Sequence, residues 1–293
     1  MSRRGLVLFV SLGLIWGLPY LLIKVAVEHV EPSFIVFVRV LLGAAVLLPI
    51  VLVRGQWALL RGHWRWVVAF ALVEITFTFL ALTWAEERIS SSLAALLIAA
   101  VPIVGAILAW AFGLDTHWST RRGVGLAIGF LGVGALVGLD VEGSSWLSVA
   151  AVGITVLGYS LGPIIVEKRL HDVPSLPVIA AALAVNTVIY APFGWMGRPT
   201  EPVPASAWWS MVVLGVLCTA VAFVLLFALI AEVGAPRAQV ITYVNPAVAV
   251  VLGVLVLSEP VTLGIAIGFP LVLVGSWLAT RGGRPDIEAE PHA

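Results

Sequence analysis

Long apolar stretches fill most of this chain, and short polar segments separate them. Ten stretches are close to the roughly 20 residues that an α-helix needs to cross the hydrocarbon core of a bilayer. They are residues 6–27, 33–53, 66–85, 92–113, 122–139, 146–166, 176–196, 207–230, 237–257 and 262–280. Inside a bilayer each backbone polar group needs a partner within its own segment, which requires helices. The pattern therefore predicts an all-α polytopic membrane protein with ten transmembrane helices.

Sequence features recur about 144 residues apart and divide the chain into two similar halves. The matching positions are Pro19 and Pro163, Lys24 and Lys168, Pro102 and Pro246, Asp115 and Glu259, Gly125 and Gly268, and Gly132 and Gly275. Such an internal repeat predicts a duplicated unit. We assign residues 1–143 to a first unit of five helices, residues 144–283 to a second unit, and residues 284–293 to a polar cytoplasmic tail.

The basic residues predict how the chain is oriented, because Lys and Arg are enriched in cytoplasmic loops. With the N-terminus in the cytoplasm, twelve of the sixteen basic residues fall in cytoplasmic segments, and the opposite loops contain only Arg88 and Arg198. Both termini are therefore expected in the cytoplasm. Because each unit has five spans, the second unit enters the membrane from the opposite side. The result is an inverted repeat, an architecture of alternating-access carriers whose substrate site lies near the midplane.

Composition excludes several other classes of protein. Charged residues make up 11% of the chain and hydrophobic residues 61%, whereas a soluble domain has about 25% charged residues. A net charge of zero gives no reason to expect a nucleic-acid partner. Cys218 is the single cysteine, so an intramolecular disulfide is excluded. The histidines lack metal-ligand spacing and no nucleophile–base motif occurs, so we predict no metal site, no cofactor and no enzymatic activity.

Two segments carry family-specific patterns. One is NPAVAVVLGVLVLSEPVTLGIAIGFPLVLVGSWLA, and the other is GLIWGLPYLLIKVA, which Pro32 and Arg39 follow. They resemble the end and the beginning of the EamA domain in the drug/metabolite transporter superfamily, and the chain is similar to two such domains. The resemblance implies ten helices, cytoplasmic termini, export of small metabolites, and a central cavity lined by helices 1, 3, 4, 6, 8 and 9. Asp115 departs from the family pattern, which commonly has Glu at this connection.

Glu74 is the one acidic residue well inside a predicted span. It lies about 12 Å into the third span at 1.5 Å per residue, which is near the membrane midplane. An ionised carboxylate at that depth is costly unless it is paired or faces water. Two interpretations stay open. Glu74 either couples transport to protons or binds a substrate ammonium, or it is a protonated carboxyl hydrogen-bonded to a neighbouring helix.

Aromatic side chains predict one wall of the cavity. Trp16 lies mid-membrane, whereas the other tryptophans lie near span ends, where they are typical of an interfacial belt. Tyr20 shares a helix face with Trp16, and Tyr159 follows Trp16 by 143 residues. The alternative is ordinary helix packing. The predicted cavity residues are Trp16, Tyr20, Glu74, Phe77, Tyr159, Tyr243 and Asn245.

Four prolines lie inside predicted spans at matching positions of the two units. Each removes one backbone hydrogen bond and frees the carbonyl four residues earlier. We predict that they act as hinges or gates; the alternative is a static kink that shapes the cavity. These prolines are Pro19, Pro102, Pro163 and Pro246.

Glycines four residues apart predict close helix packing or a dimer face. The pairs are Gly13 and Gly17, Gly125 and Gly129, Gly134 and Gly138, and Gly264 and Gly268.

Two basic residues, Lys24 and Arg39, also fall within predicted spans. We expect Lys24 to extend to the membrane interface, and Arg39 to form a structural ion pair or a helix-end contact, with substrate gating as the alternative.

The predicted function is secondary active transport, with export of small metabolites such as amino acids, by a multi-pass protein of the inner membrane. Its expected partners are lipid, a small-molecule substrate, protons and a second copy of the chain. An alternative within transport is an anion exchanger for phosphorylated sugars or nucleotide sugars, which requires a basic cluster at the midplane. A scaffold or membrane enzyme is the alternative of another class, and the lack of a large loop disfavours it.

Overall fold

The computed structural model of the chain describes residues 2–114, 119–140, 146–234 and 238–280. Within these ranges the backbone forms helices and their connections, and no β-strand. The predicted connection residue Asp115 and the predicted tail, residues 284–293, lie outside the described ranges. An all-helical chain agrees with the fold class that the apolar stretches predict.

Ten helices follow one another along the described ranges. They are α1 (Arg3–Val27), α2 (Pro32–Val53), α3 (Trp64–Ala85), α4 (Ser91–Ala111), α5 (Thr120–Asp140), α6 (Trp146–Arg169), α7 (Ser175–Met196), α8 (Ala205–Val233), α9 (Val244–Val256) and α10 (Leu263–Thr280). Short 3₁₀ turns at Gln56–Leu60 and Gln239–Tyr243 precede α3 and α9. Most predicted stretches and observed helices agree within a few residues, because long apolar runs have no other way to satisfy their backbone. The exception is α9, which begins at Val244, seven residues after the predicted start, because a 3₁₀ turn precedes it.

Eight of the described helices, α1 to α8, are long and apolar enough to cross a membrane, judged by length and composition. The helices α9 and α10 are apolar but shorter. Large apolar side chains such as Val53, Leu131, Val188 and Leu255 lie exposed on the outside of the molecule. A surface this apolar is stable in lipid and aggregates in water. The chain is therefore a polytopic membrane protein.

Breaks in α4 and before α9 occur at matching places, and they differ from the mid-helix kinks that the prolines predict. In α4 the helix stops at Ile98 and restarts at Val101, so Pro102 lies in the first turn of the new segment. Pro246 likewise lies in the first turn of α9, after a 3₁₀ turn. The first turn has no intrahelical partner for its N–H groups, so a proline there costs no hydrogen bond.

Two π-helical segments interrupt α3 and α8 and have no counterpart in the sequence prediction. They span Ala71–Thr76 and Val216–Val221, so their first residues are 145 positions apart. Each contains a buried threonine whose hydroxyl bonds the carbonyl five residues earlier, Thr76 to Ala71 and Thr219 to Leu214. A π-bulge is rare and often marks a functional site.

The repeated glycines lie against one another where α5 packs on α10. A Cβ added at Gly132 would lie 2.9 Å from the carbonyl oxygen of Gly268, and a Cβ at Gly275 would overlap the backbone of Gly129. Such close backbone approach requires glycine at these positions. By contrast, a Cβ at Gly134 would meet nothing within 4 Å. The packing interpretation therefore applies to Gly125, Gly129, Gly132, Gly268 and Gly275.

Contacts between the two halves recur in exchanged pairs. The helix α1 packs on α8 and α9, and its counterpart α6 packs on α3 and α4. Similarly, α2 contacts α8 while α7 contacts α3. The equivalent helices α2 and α7 pack on each other, as do α5 and α10. The buried contacts among α1, α2, α3, α6, α7 and α8 therefore involve helices of both halves.

Candidate functional site

Arg39 is a buried cation at the contact between the two halves. It lies in the second turn of α2, and its side chain is only 7% exposed. Its Nε donates to Thr219 Oγ1 at 3.1 Å, and its guanidinium carbon lies 3.8 Å from the ring centroid of Phe79. Among the described residues no carboxylate forms an ion pair with it. The expected structural ion pair is therefore absent from the described chain, and a hydroxyl and an aromatic face take its place.

Other polar side chains surround this guanidinium. Tyr20 from α1, Tyr159 from α6, Cys218 from α8 and Glu86 at the end of α3 are near enough to interact electrostatically with Arg39. Tyr20 and Tyr159 also interact with each other. We call Arg39 and these four residues the Arg39 cluster. The cluster joins elements of both halves, as a substrate site at a repeat interface requires.

The π-helical segments explain how these groups come together. In α8 the segment directs Thr219 toward Arg39 of α2. In α3 the equivalent segment directs Thr76 toward Asn186 of α7, with the two side-chain oxygens 2.6 Å apart. Asn186 Nδ2 also donates to the carbonyl of Ala71 at 3.2 Å. In α3 the bulge thus exposes a carbonyl that a side chain of the opposite half satisfies, whereas in α8 Thr219 satisfies the carbonyl of Leu214 and its own hydroxyl accepts from Arg39.

Glu74 lies inside the π-helical segment of α3 and packs against α6. A Cβ added at Gly162 of α6 would overlap its Oε2, so glycine is needed for this approach. That oxygen is buried and has no hydrogen-bond partner in the described part of the chain. Glu74 interacts electrostatically with Tyr159, which connects it to the Arg39 cluster. Glu74 Oε2 therefore has no described partner that would support the interpretation of Glu74 as a carboxyl hydrogen-bonded to a neighbouring helix.

Glu86 is a second buried acid, one residue beyond the apolar stretch of α3. It is fully buried, and neither carboxylate oxygen has a hydrogen-bond partner among the described residues. Burial raises the pKa of Glu86 well above its usual range; Lys24 and Arg39 oppose that rise, and Glu259 adds to it. The Nζ of Lys24 donates to the carbonyls of Glu86 and Ile89 at 2.7 and 3.0 Å. Lys24 thus bonds the end of α3 and the connection that follows it, and its extension to the membrane interface stays a prediction.

The predicted cavity residues fall into different environments. Tyr20 and Tyr159 meet in the Arg39 cluster, whereas Trp16 packs edge-on against Phe223 of α8 at 6.2 Å between ring centroids. The hydroxyl of Tyr243 donates to the carbonyl of Ser276 in α10 at 3.0 Å. The remaining two are Asn245, whose Oδ1 is buried without a described partner, and Phe77, which is 59% exposed.

Family comparison agrees with this architecture. The model of the EamA-like transporter family matches residues 3–138 and again residues 146–281. The chain belongs to the EamA-like transporter family. The family model thus matches twice along the chain, and the unit bounds 1–143 and 144–283 stay a prediction.

Curated relatives of this EamA-like protein are named as transporters. The uncharacterized transporter YoaV of Bacillus subtilis is 22% identical over 92% of this chain and 94% of its own length. The uncharacterized inner membrane transporter YedA of Escherichia coli K12 is 26% identical over 83% of this chain and 79% of its own length. A probable terminal-alkyne amino-acid exporter of Streptantibioticus cattleyicolor is 29% identical over 69% of this chain and 65% of its own length.

A solved crystal structure supports the fold. It is 21% identical in sequence, covers 95% of this chain and 97% of its own, and superposes with a TM-score of 0.69. Family, relatives and apolar helices together identify this EamA-like protein as a multi-pass transporter of the inner membrane.

The four prolines of this EamA-like transporter are not equivalent in burial. Pro19 in α1 and Pro246 in α9 are buried, Pro102 in α4 is half-buried, and Pro163 in α6 is exposed. Pro19 and Pro163 lie inside continuous helices, and Pro102 and Pro246 begin helical segments. Their role as hinges or gates stays a prediction.

Two cavities lie away from the Arg39 cluster. One, of about 180 Å³, is lined by Arg88, Ser90, Pro260 and Thr262 where α4 begins. The other, of about 490 Å³, is lined by aromatic residues of α2, α7 and α8, including Phe34, Phe37, Trp195 and Trp208. Neither is lined by Glu74 or Arg39. The described residues hold no group of three or more His, Cys, Asp or Glu side chains that could bind a metal.

Several site residues escaped the sequence analysis. Asn186 was detectable as a lone amide in an apolar run, because intramembrane polar groups require partners. Glu86 lies one residue beyond the predicted span 66–85, so its burial was not predicted. Thr76 and Thr219 carry no such signal, because their importance depends on π-bulges that apolar periodicity does not reveal.

Proposed function

We propose that this EamA-like transporter is a secondary carrier that exports small metabolites such as amino acids by alternating access. The observation that carries the proposal is the Arg39 cluster, in which a cation and an acid are buried between helices of both halves. Charged groups at such a place are expensive and mark solute or ion pathways. The name of the amino-acid exporter from Streptantibioticus supports the substrate class and the direction.

Alternating access requires that the two units adopt two arrangements around one site. The exchanged contacts of α1 with α9 and of α6 with α4 support a two-fold relation between the units. We propose that this relation is an inverted repeat with ten spans and both termini in the cytoplasm. A reporter enzyme fused after Gly283 should be active only in the cytoplasm, and activity restricted to the other side would contradict this topology.

Glu74 is the proposed proton-coupling acid. Its Oε2 has no hydrogen-bond partner in the described ranges, and it interacts with Tyr159 beside Arg39. In this scheme Glu74 takes up a proton from the acidic side and releases it inside, in exchange for an outgoing substrate.

Two copies of the chain are proposed to pair in the membrane. Native mass spectrometry of the detergent-solubilised protein measures its oligomeric state.

Anion exchange remains the second candidate, because the buried Arg39 attracts an anionic substrate. The Arg39 cluster contains a single cation, whereas a doubly charged phosphate requires a cluster of basic residues. No observation on the described residues favours an enzyme or a scaffold.

Counterflow in proteoliposomes separates these candidates. Vesicles loaded with each standard amino acid, glucose 6-phosphate or a nucleotide sugar are diluted into the labelled solute, and uptake is followed. Amino-acid exchange supports the proposal, and exchange of only the phosphorylated solutes replaces it with the second candidate. Absence of exchange with every solute would reject a carrier for these classes.

A further inference from the structure

We infer that Arg39 binds the carboxylate of the transported solute, an inference that rests on the proposed transport function. Arg39 lies in α2, about 10 Å along the helix from its first residue at 1.5 Å per residue. It is 7% exposed, and no described carboxylate forms an ion pair with it. An intramembrane charge without a counter-ion is costly and normally pairs with another group. A substrate carboxylate supplies the missing negative charge.

The guanidinium keeps its outer nitrogens available. Only Nε is engaged, by Thr219 Oγ1 at 3.1 Å. Within the described part of the chain, Nη1 and Nη2 donate no hydrogen bond, and neither is a fully enclosed nitrogen without a partner. These nitrogens form the planar fork that binds a carboxylate through two parallel hydrogen bonds.

Two contacts hold that fork in one orientation. Thr219 fixes Nε, and the Phe79 ring covers one face of the guanidinium at 3.8 Å. Thr219 is itself held because its hydroxyl donates to the carbonyl of Leu214 at 2.8 Å. A preorganised donor pair loses little entropy when it binds its ligand.

The neighbours of Arg39 favour a carboxylate of a zwitterion over a phosphate. Tyr20 and Tyr159 are near enough to interact electrostatically with Arg39, and their hydroxyl groups can donate and accept hydrogen bonds. Glu86 and Glu74 place two acids near the cluster, and Glu74 interacts with the same tyrosine as Arg39. A solute with one carboxylate and one ammonium matches one cation with nearby carboxyl groups, which can accept hydrogen bonds from the ammonium, whereas a doubly charged phosphate needs more than the single cation of the Arg39 cluster.

The first test uses the wild-type transporter and changes the solute. The amino acid that exchanges fastest in counterflow is compared with its carboxamide and with the amine that lacks the carboxyl group. A lost charge-assisted pair raises the half-saturating concentration about tenfold or more. Equal competition by the amide would overturn the Arg39 assignment while leaving amino-acid transport intact.

The second test changes Arg39. Arg39→Gln is expected to remove the preference for the free acid over the amide, because its side chain lacks the charge. Arg39→Lys keeps the charge without the fork and is expected to retain part of the preference. The exposed Arg198, whose guanidinium donates to the carbonyl of Trp195 and lies over its ring, provides the matched control Arg198→Gln. A purely structural Arg39 would lower transport of acid and amide equally, and unchanged selectivity in a folded Arg39→Gln would reject the inference.

Misfolding and failure of the proposed function have separate signatures. Variants enter the assay only when size-exclusion profiles and thermal unfolding match the wild type, and the amide comparison needs no variant. If no amino acid exchanges, both the proposed function and this inference fail. If glucose 6-phosphate exchanges instead and depends on Arg39, the bound group is a phosphate and the carboxylate assignment is wrong.

Discussion

Arg39 and Thr219 connect the two halves through a bond of 3.1 Å from Nε to Oγ1, and Asn186 and Thr76 repeat that relationship with the halves exchanged. Each threonine belongs to a π-helical segment, and each partner lies on the neighbouring helix of the opposite half. Equivalent polar contacts therefore connect α2 with α8 and α7 with α3. The two contacts differ in charge, because one partner is a guanidinium and the other an amide.

Substitution of Asn186 by leucine is expected to destabilise the protein by about 1–3 kcal/mol, since the π-segment carbonyl of Ala71 and the Thr76 hydroxyl lose a buried partner. Thermal unfolding in detergent measures the loss. Thr187→Val on the same helix is the control, because among the described residues Thr187 bonds the carbonyl of Leu183 within its own helix and no side chain of another helix. Equal stability of the two variants would show that the bulge does not depend on Asn186.

Gly275→Ala is expected to separate α5 from α10, because the new Cβ would overlap the backbone of Gly129. Backbone cannot move aside as a flexible side chain does, so the melting temperature should fall clearly. The control is Gly134→Ala, where a Cβ meets nothing within 4 Å. There the change should be neutral or stabilising by about 0.5–1 kcal/mol, because alanine favours helix over glycine. A melting temperature unaffected by Gly275→Ala would contradict the close approach.

The sequence predicted most of this architecture, because hydrophobic length is a strong and local signal. The predicted stretch 33–53 and the observed α2, Pro32–Val53, differ by one residue. The π-segments were missed because a bulge is fixed by packing between helices, as at Gly162 and Glu74. The predicted site residues stay a prediction: Tyr20 and Tyr159 interact electrostatically, whereas Arg39, for which we expected an ion pair or a helix-end contact, bonds Thr219. Which polar groups meet depends on tertiary contacts that residue spacing within one helix does not determine.

Glu259 closes the N-terminus of α4 from the connection between α9 and α10. Its Oε1 accepts from the backbone N–H of Ser91 at 2.7 Å, and its Oε2 accepts from the backbone N–H and hydroxyl of Ser92 at 3.0 and 2.5 Å. Removing it in Glu259→Ala leaves these donors unpaired and should cost about 2 kcal/mol. Glu31→Ala is the matched control, because Glu31 precedes α2 without a side-chain capping bond. Thermal unfolding compares the two variants. Equal small losses of stability would mean that the bonds from Ser91 and Ser92 to Glu259 contribute nothing to it.

The buried carboxyl of Glu86 is expected to make the stability of the folded protein depend on pH. Burial raises its pKa in the folded protein, so the folded state binds the proton more tightly than the unfolded state. That contribution is complete below the usual glutamate pKa of about 4.3 and is lost as pH rises through the raised value. Lys24, Arg39 and Glu259 are the charged groups that act on it.

Glu86→Gln should therefore show a shallower fall of melting temperature than the wild type as pH rises above about 4.3, because the amide does not titrate. The exposed Glu201, changed to Gln, is the control and should follow the wild-type curve. Identical curves for the wild type and Glu86→Gln would exclude a linked proton at this residue.

Glu74→Gln tests proton coupling, because the amide keeps the shape of the side chain and cannot carry a proton on and off. We expect pH-gradient-driven transport to be abolished while counterflow without a gradient survives. Glu74→Asp should retain part of the coupling with a shifted pH optimum. The exposed Glu167 of α6 gives the control Glu167→Gln, which should transport normally. Loss of counterflow together with substrate binding would instead assign Glu74 to recognition of a substrate amine, and intact gradient-driven transport in Glu74→Gln would rule out the proton role.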